Sequence, residues 1–323
     1  MRDPAVGMND RALRYFLAVV RAGSIRGAAD ALNVAASAVS RQVADMEAGC
    51  GQPLLERLPR GVVPTEAGLA VAEHAQRQAE EAELLHDRLR RLRGGEGGTV
   101  RICCGPGFLA DLLDNGLAGF GLANPGIDFR VMLGGTDRVL AAVADGEVDL
   151  GLAYNPPSHP DLRSAAIARQ PLAAMLPPSH PMAQHRSPVR LRLLAQEPAA
   201  LLPPGHGVRQ LLGRVEADGG FRLRPRLESG SIELLRRFAI AGMGVTFLPE
   251  FAAAAELAEG RLLALPLADA VLADASAHLL VRARRQLPQP AEQLVAWLKN
   301  YLVAYRPALR IESVARTATL RSK

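Results

Sequence analysis

Four side chains close together in the chain, Ser37, Ser40, Arg41 and Gln42, combine two hydroxyls, a guanidinium and a carboxamide. These groups hydrogen-bond base edges and phosphate oxygens in a DNA major groove, where arginine pairs with guanine and a carboxamide with adenine. To act together they must share one face of a rigid element. Val39, Val43 and Met46 recur at i, i+4 and i+7, so a helix from Ala35 to about Gly49 buries that stripe and turns the polar four to solvent. Taken alone, such a face is more often plain solvated surface, because exposed polar residues are common. The neighbouring residues shift that balance.

Upstream, Asn9 or Asp10 caps a helix with Leu13, Phe16, Leu17 and Val20 on one side, and Gly23 suits its left-handed end. Ser24 caps a second helix, where Ala28, Ala29 and Leu32 allow close approach and Asn33 suits the following turn. Downstream, Pro53 to Val63 reads as a two-stranded wing with Arg57 and Arg60 near its tip, placed to touch flanking DNA backbone or minor groove.

The ordered series Leu13, Tyr15, Phe16, Gly23-Ser24, Ala28-Ala29, Leu32, Ser37-Ala38-Val39-Ser40-Arg41-Gln42, Glu47, Gly51, Pro53-Leu54, Glu56-Arg57, Gly61 and Thr65-Glu66-Ala67-Gly68 resembles the winged helix-turn-helix of LysR-type transcriptional regulators. The resemblance implies a non-enzymatic DNA-binding regulator over residues 9–64, with Ser37, Ser40, Arg41, Gln42, Arg57 and Arg60 contacting double-stranded DNA and Arg26 as an added phosphate contact. The lack of a membrane-spanning run and of a signal-like start makes a cytoplasmic protein the expectation. Ala35 and Ala36 stand where the family usually has Ser and Gln, Arg26 replaces a common Thr, and Val63 occupies a wing position that is often Arg. An operator unlike the family's typical one is the expectation, read with the help of half-site spacing and DNA deformability.

From Thr65 to Arg93 a single helix of roughly 42 Å is expected. Leu69, Ala72, Ala75, Ala79, Ala82, Leu85, Leu89 and Leu92 form an apolar stripe along it. Such a helix lacks a core of its own, so pairing with a second copy in a homodimer or homotetramer is the economical solution, and packing on its own chain is the alternative. By resemblance this is the linker helix of residues 65–93. Residues 94–98, Gly-Gly-Glu-Gly-Gly, form a hinge by composition.

Beyond the hinge, short β-like runs (99–104, 129–133, 150–153, 173–176, 199–202, 277–281) alternate with helical segments near 107–123, 136–146, 207–217, 231–242 and 290–304. The pattern predicts α/β units with mostly parallel sheets. The resemblance continues through Leu117, Phe120, Asn124-Pro125, Gly146, Asp149-Leu150, Ala241 to Val245 and Leu248-Pro249. It implies a two-lobed domain, like type 2 periplasmic binding proteins, over 99–303. Residues 99–164 and 268–303 would form lobe I and residues 165–267 lobe II. A small-molecule effector is expected between the lobes, and RNA polymerase is a partner if the protein activates.

In open α/β sheets ligands gather beyond the C-terminal ends of strands, at helix N-termini. Four glycine-bearing turns qualify, each also readable as a plain turn. The candidates they hold are Gly105, Gly107, Gly135, Thr136, His206, Arg209, Ser229, Ser231 and Thr246. Many LysR-type relatives place Ser or Thr at the first turn to hold an effector carboxylate, whereas this chain has only Gly and Pro there.

Other chemistry is sparse. Cys50, Cys103 and Cys104 give no CxxC pair, and adjacent cysteines read as core thiols more readily than as a sensor. The seven histidines show no metal-ligand spacing, so neither metal nor cofactor is expected. No apolar run approaches the ~18 residues that cross a bilayer. Net charge is +5, but residues 1–64 hold 8 arginines against 6 carboxylates, while the basic tail (304–323) carries much of the excess. Bulk charge therefore does not locate a DNA-binding face. A solute-binding protein or an enzyme on the same two-lobed scaffold stands as the alternative, one that leaves residues 23–60 without a role.

Overall fold

The structure is a computed structural model and describes residues 8–92, 97–185 and 187–306. The chain divides into two compact units, one ending at Gly95 and one starting at Glu96. Arg93, the first three hinge residues and the tail from 307 onward lie outside the described residues.

In the first unit, α1 (Asp10–Ala22) is capped by Asn9, whose side chain accepts from Ala12 N at 2.9 Å, and it stops at Gly23 with φ of 63°. Ser24 caps α2 (Ile25–Leu32), and Asn33 ends it in the left-handed region. The third helix, α3 (Ala36–Cys50), starts from Ala35 without any side-chain cap, which forgoes about 1 kcal/mol that a Ser there would contribute. Strands β1 (Leu55–Leu58) and β2 (Gly61–Pro64) pair antiparallel as the wing. Thr65 Oγ1 then accepts from Gly68 N at 3.0 Å and opens α4 (Glu66–Leu92). Phe16, Ala28, Val39, Val43, Met46 and Leu54 meet in one core.

The second unit begins with β3 (Gly98–Cys104). A helical run follows that breaks into α5 (Leu109–Asp111), a π-helical turn (Leu112–Leu117) and α6 (Ala118–Ala123). Next come β4 (Ile127–Leu133), α7 (Thr136–Ala144), β5 (Leu150–Tyr154), β6 (Leu162–Arg169), β7 (Leu172–Leu176), β8 (Pro198–Leu201), α8 (Gly207–Gly219), β9 (Arg224–Glu228) and α9 (Ile232–Ile240). The unit closes with β10 (Val245–Pro249), α10 (Ala254–Ala258), β11 (Leu263–Pro266), α11 (Ala270–Ala273), β12 (Ser276–Arg282) and α12 (Gln289–Tyr301).

Two five-stranded sheets result, ordered β4-β3-β5-β12-β6 and β11-β7-β10-β8-β9. In each, four strands run in one direction and one (β12 in the first, β7 in the second) runs against them, so the strands are mostly parallel in direction as expected, while two of the four pairings in each sheet are antiparallel. The lobe boundaries move. Strand β6 stays on β12 as far as Arg169, so the first crossing falls at Gln170-Pro171 and not at 165. The second falls after α11, because Asp269 accepts from Leu191 N and Ala268 N donates to Val189 O, which keeps 268–273 with lobe II. Cys103 and Cys104 lie in two different apolar clusters, as neighbours on a strand must.

Candidate nucleic-acid interface and inter-lobe cleft

On α3, Val39, Val43 and Met46 are buried, Ser37 and Arg41 are exposed, and Ser40 and Gln42 are half-buried at the edge of the same face. The expected division between an anchored stripe and a free one is present. Arg26 on α2 and Arg57 and Arg60 on the wing are exposed as well. Among the described residues no carboxylate lies within ion-pair range of Arg26, Arg41, Arg57 or Arg60. Arg209 and Arg236 in the second unit, by contrast, are closed on Glu216 and Glu256. Free guanidinium groups on one unit are able to replace the counterions of a phosphate backbone.

Two anchors fix the wing. Glu47, near the end of α3, accepts from Leu54 N at 2.9 Å and Leu55 N at 3.1 Å, tying the wing's first strand to α3. On the other side Val62 N donates to Gly23 O at 2.8 Å. Gly61 has φ of 107°, and a Cβ there would lie 2.4 Å from that same oxygen. Both features require glycine. Glu47 had stood in the sequence only as a matching residue. Its positioning role shows once the chain has turned back on α3.

The stripe on α4 splits in two. Ala72 and Ala75 are buried in the unit's own core against α1, where Arg21 also binds Gln76. They are thus corrected from dimer contacts to core residues, since α1 has to cover its own apolar face. Leu69, Ala79, Ala82, Leu85, Leu89 and Leu92 remain exposed, Leu85 at 55% and Leu89 at 44%.

In the second unit a cavity of about 30 Å³ lies between the lobes, lined by Gly105, Gly107, Thr136 and His206 together with Phe108, Leu202, Val208, Ile232 and Phe251. That is room for roughly two waters. The lobes touch closely here: a Cβ on Gly135 would lie 2.6 Å from Gly205 O, and one on Gly207 would lie 1.8 Å from Tyr154 O. Thr136 Oγ1 accepts from Gly207 N at 2.8 Å and donates to Tyr154 O at 3.3 Å. Asp137 adds a bond from Gln210 Nε2 at 2.9 Å.

Five expected cleft residues do not line the cavity: Gly135, which packs against Gly205, and four polar ones. Arg209 binds Glu216 at 2.6 Å, and Glu216 in turn accepts from Leu223 N. The Thr246 hydroxyl, fully buried, donates to Ala200 O at 2.8 Å and braces the second sheet. Ser231 caps α9, and Ser229 accepts from Ser231 N. For each of these four, a partner in the same lobe is nearer than the cleft. The apolar lining was missed by the sequence reading, although Phe108 directly follows one of the glycine turns.

Burial raises both Cys103 and Cys104, the latter to about 12, so neither is a reactive thiolate at neutral pH. Among the described residues no group of His, Cys, Asp or Glu is placed to hold a metal, and no helix is long and apolar enough to cross a membrane.

Two family models match. Residues 11–69 match the bacterial regulatory helix-turn-helix protein of the lysR family, and residues 93–303 match the LysR substrate binding domain. An uncharacterized HTH-type transcriptional regulator of Mycobacterium tuberculosis is 35% identical over 77% of this chain and 83% of its own. A full-length OxyR variant from Pseudomonas aeruginosa is similar in structure, with a TM-score of 0.66 at 21% identity over 92% of this chain and 96% of that one. CbnR, solved with its target DNA, gives 0.51 at 22% identity, covering 91% of this chain and 99% of that one.

Proposed function

Because this chain belongs to the LysR family of DNA-binding transcriptional regulators, we propose how its parts divide that work. Ser37, Ser40, Arg41 and Gln42 read base edges from the free face of α3, while Arg26, Arg57 and Arg60 hold phosphates on either side. Two copies pair in the cytoplasm through the exposed part of the α4 stripe, which sets half-site spacing. A small molecule between the lobes shifts their equilibrium and with it operator affinity or bending, which makes the coupling allosteric. Where the protein activates, RNA polymerase is its further partner.

One observation carries the reading of the first unit: α3 and the wing present guanidinium groups that no carboxylate among the described residues neutralises, on a frame locked by Glu47 and Gly61. The similarity in fold to a regulator solved with its target DNA supports it. The test is to recover and sequence fragments of the source genome retained by the full-length protein in excess competitor DNA. The expected result is a small set sharing an inverted repeat. Equal retention of all fragments would overturn sequence-specific reading.

A further inference from the structure

The polarity of the cleft narrows what it can hold. Of the side chains lining it, only Thr136, Tyr154 and His206 carry polar atoms, and no Lys, Arg, Asp or Glu is among them. The Thr136 hydroxyl is committed to Gly207 N and Tyr154 O. The Tyr154 hydroxyl donates to Gln170 O at 2.7 Å. At His206, Nδ1 lies 3.1 Å from Pro203 O. A carbonyl oxygen only accepts, so Nδ1 carries the hydrogen of this bond, and Nε2 has no partner among the described residues.

The lining thus comprises apolar walls and one side chain, His206, with an uncommitted ring nitrogen. A carboxylate entering it would give up its hydration for no cation, since Arg209, near the start of α8, is already closed on Glu216. The first N–H of α8, on Gly207, is taken by Thr136.

We propose that the cleft takes a small, uncharged, mainly apolar molecule bearing one hydrogen-bond donor, of the phenol type, with His206 Nε2 accepting that donor. This rests on the cleft being the effector site. A six-membered ring needs a cavity on the order of 150 Å³, against about 30 Å³ between the lobes as they stand. Binding therefore parts the lobes and breaks the bond between Thr136 and Gly207, which ties occupancy to lobe opening.

The test is calorimetric titration of the full-length protein with phenol, with anisole, whose donor is capped by a methyl group, and with benzoate. Phenol is expected to bind about tenfold more tightly than anisole, the worth of one neutral hydrogen bond, and benzoate not to bind. His206→Asn, whose Nδ2 keeps a donor for Pro203 O while its shorter side chain places no acceptor at the Nε2 position, should bring phenol down to the level of anisole. Ala252→Phe or Gly107→Val, each filling the cleft, should abolish binding of both, with thermal melting used to check that at least one variant is folded.

No phenol binding at millimolar concentration overturns the proposal, as does a phenol preference unchanged in His206→Asn. Benzoate binding that is lost in the filled variants overturns the ligand class and leaves the effector site standing. Phenol binding that survives in a folded filled variant overturns the effector site itself.

Discussion

The hydroxyl of Thr136 on lobe I accepts from the backbone N–H of Gly207 on lobe II at 2.8 Å, at a point where any side chain on Gly207 would strike Tyr154 O. The clasp is buried. Thr136→Val keeps the shape but leaves Gly207 N and Tyr154 O unpaired, which costs about 1–3 kcal/mol. Urea unfolding should show that loss, and Thr136→Ser should restore most of it. Wild-type stability in Thr136→Val would mean that the lobes are held elsewhere.

Arg57 on the wing and Arg41 on α3 are both exposed, and on the proposed docking they meet different parts of a DNA duplex. Arg57→Ala should weaken binding almost equally for all sequences and lower the slope of log affinity against log salt by about 0.9, the share of one phosphate. Arg41→Ala should cost about 1–3 kcal/mol on the operator and less on unrelated DNA. Gel-shift titrations at several salt concentrations separate the two, and an unchanged slope in Arg57→Ala removes it from the phosphate contacts.

Leu85 and Leu89 stand exposed on the half of α4 that α1 does not cover. A carboxylate in their place would be forced into an apolar seam in the paired form and left in water in the single chain. Leu89→Glu is expected to raise the dimer dissociation constant by about 100-fold or more. Sedimentation equilibrium reads this directly, and an undiminished dimer would place the interface away from this stripe.

His278 lies between Ser164 Oγ at 2.9 Å and Ser276 Oγ at 2.8 Å, and burial holds its pKa below the ordinary 6.5. The unfolded chain therefore takes up this proton first as pH falls. The stability that neutral His278 carries is whole above the unfolded pKa and declines between that value and the lowered folded one. Melting temperature should fall on acidification through this window, and less so in His278→Gln. Parallel pH profiles for the two proteins would rule His278 out as the source.

Much of the architecture was legible because the sequence signals were local. Asn9, Ser24 and Thr65 each cap the helix they announce, and Gly23 ends the first with positive φ. Strand β10 was not legible as a strand, although Val245 and Leu248-Pro249 matched the family pattern. All five residues are buried, and a fully buried strand loses the alternation that marks strands. Strand β9 carries Pro225 and mostly exposed residues, as an edge strand tolerates.

The candidate sites divide along the same line. On α3 the sequence alone determined which side chains face outward, because helical periodicity follows from covalent geometry and Val39, Val43 and Met46 leave only one way to bury the helix. Of the polar cleft candidates read from residue type, Thr136 and His206 line the cavity and Arg209, Ser229, Ser231 and Thr246 do not, since type states what a group can bind and not what lies nearest. Glu216, Ala200 and the first turn of α9 took up those groups. The same is true of α4, where one apolar stripe was evident but its split between the core and an open face depended on where α1 came to rest. Composition and spacing set the local elements and their free faces. Only the tertiary structure decided which polar groups were spent on the fold, because that depends on distances between residues far apart in the chain.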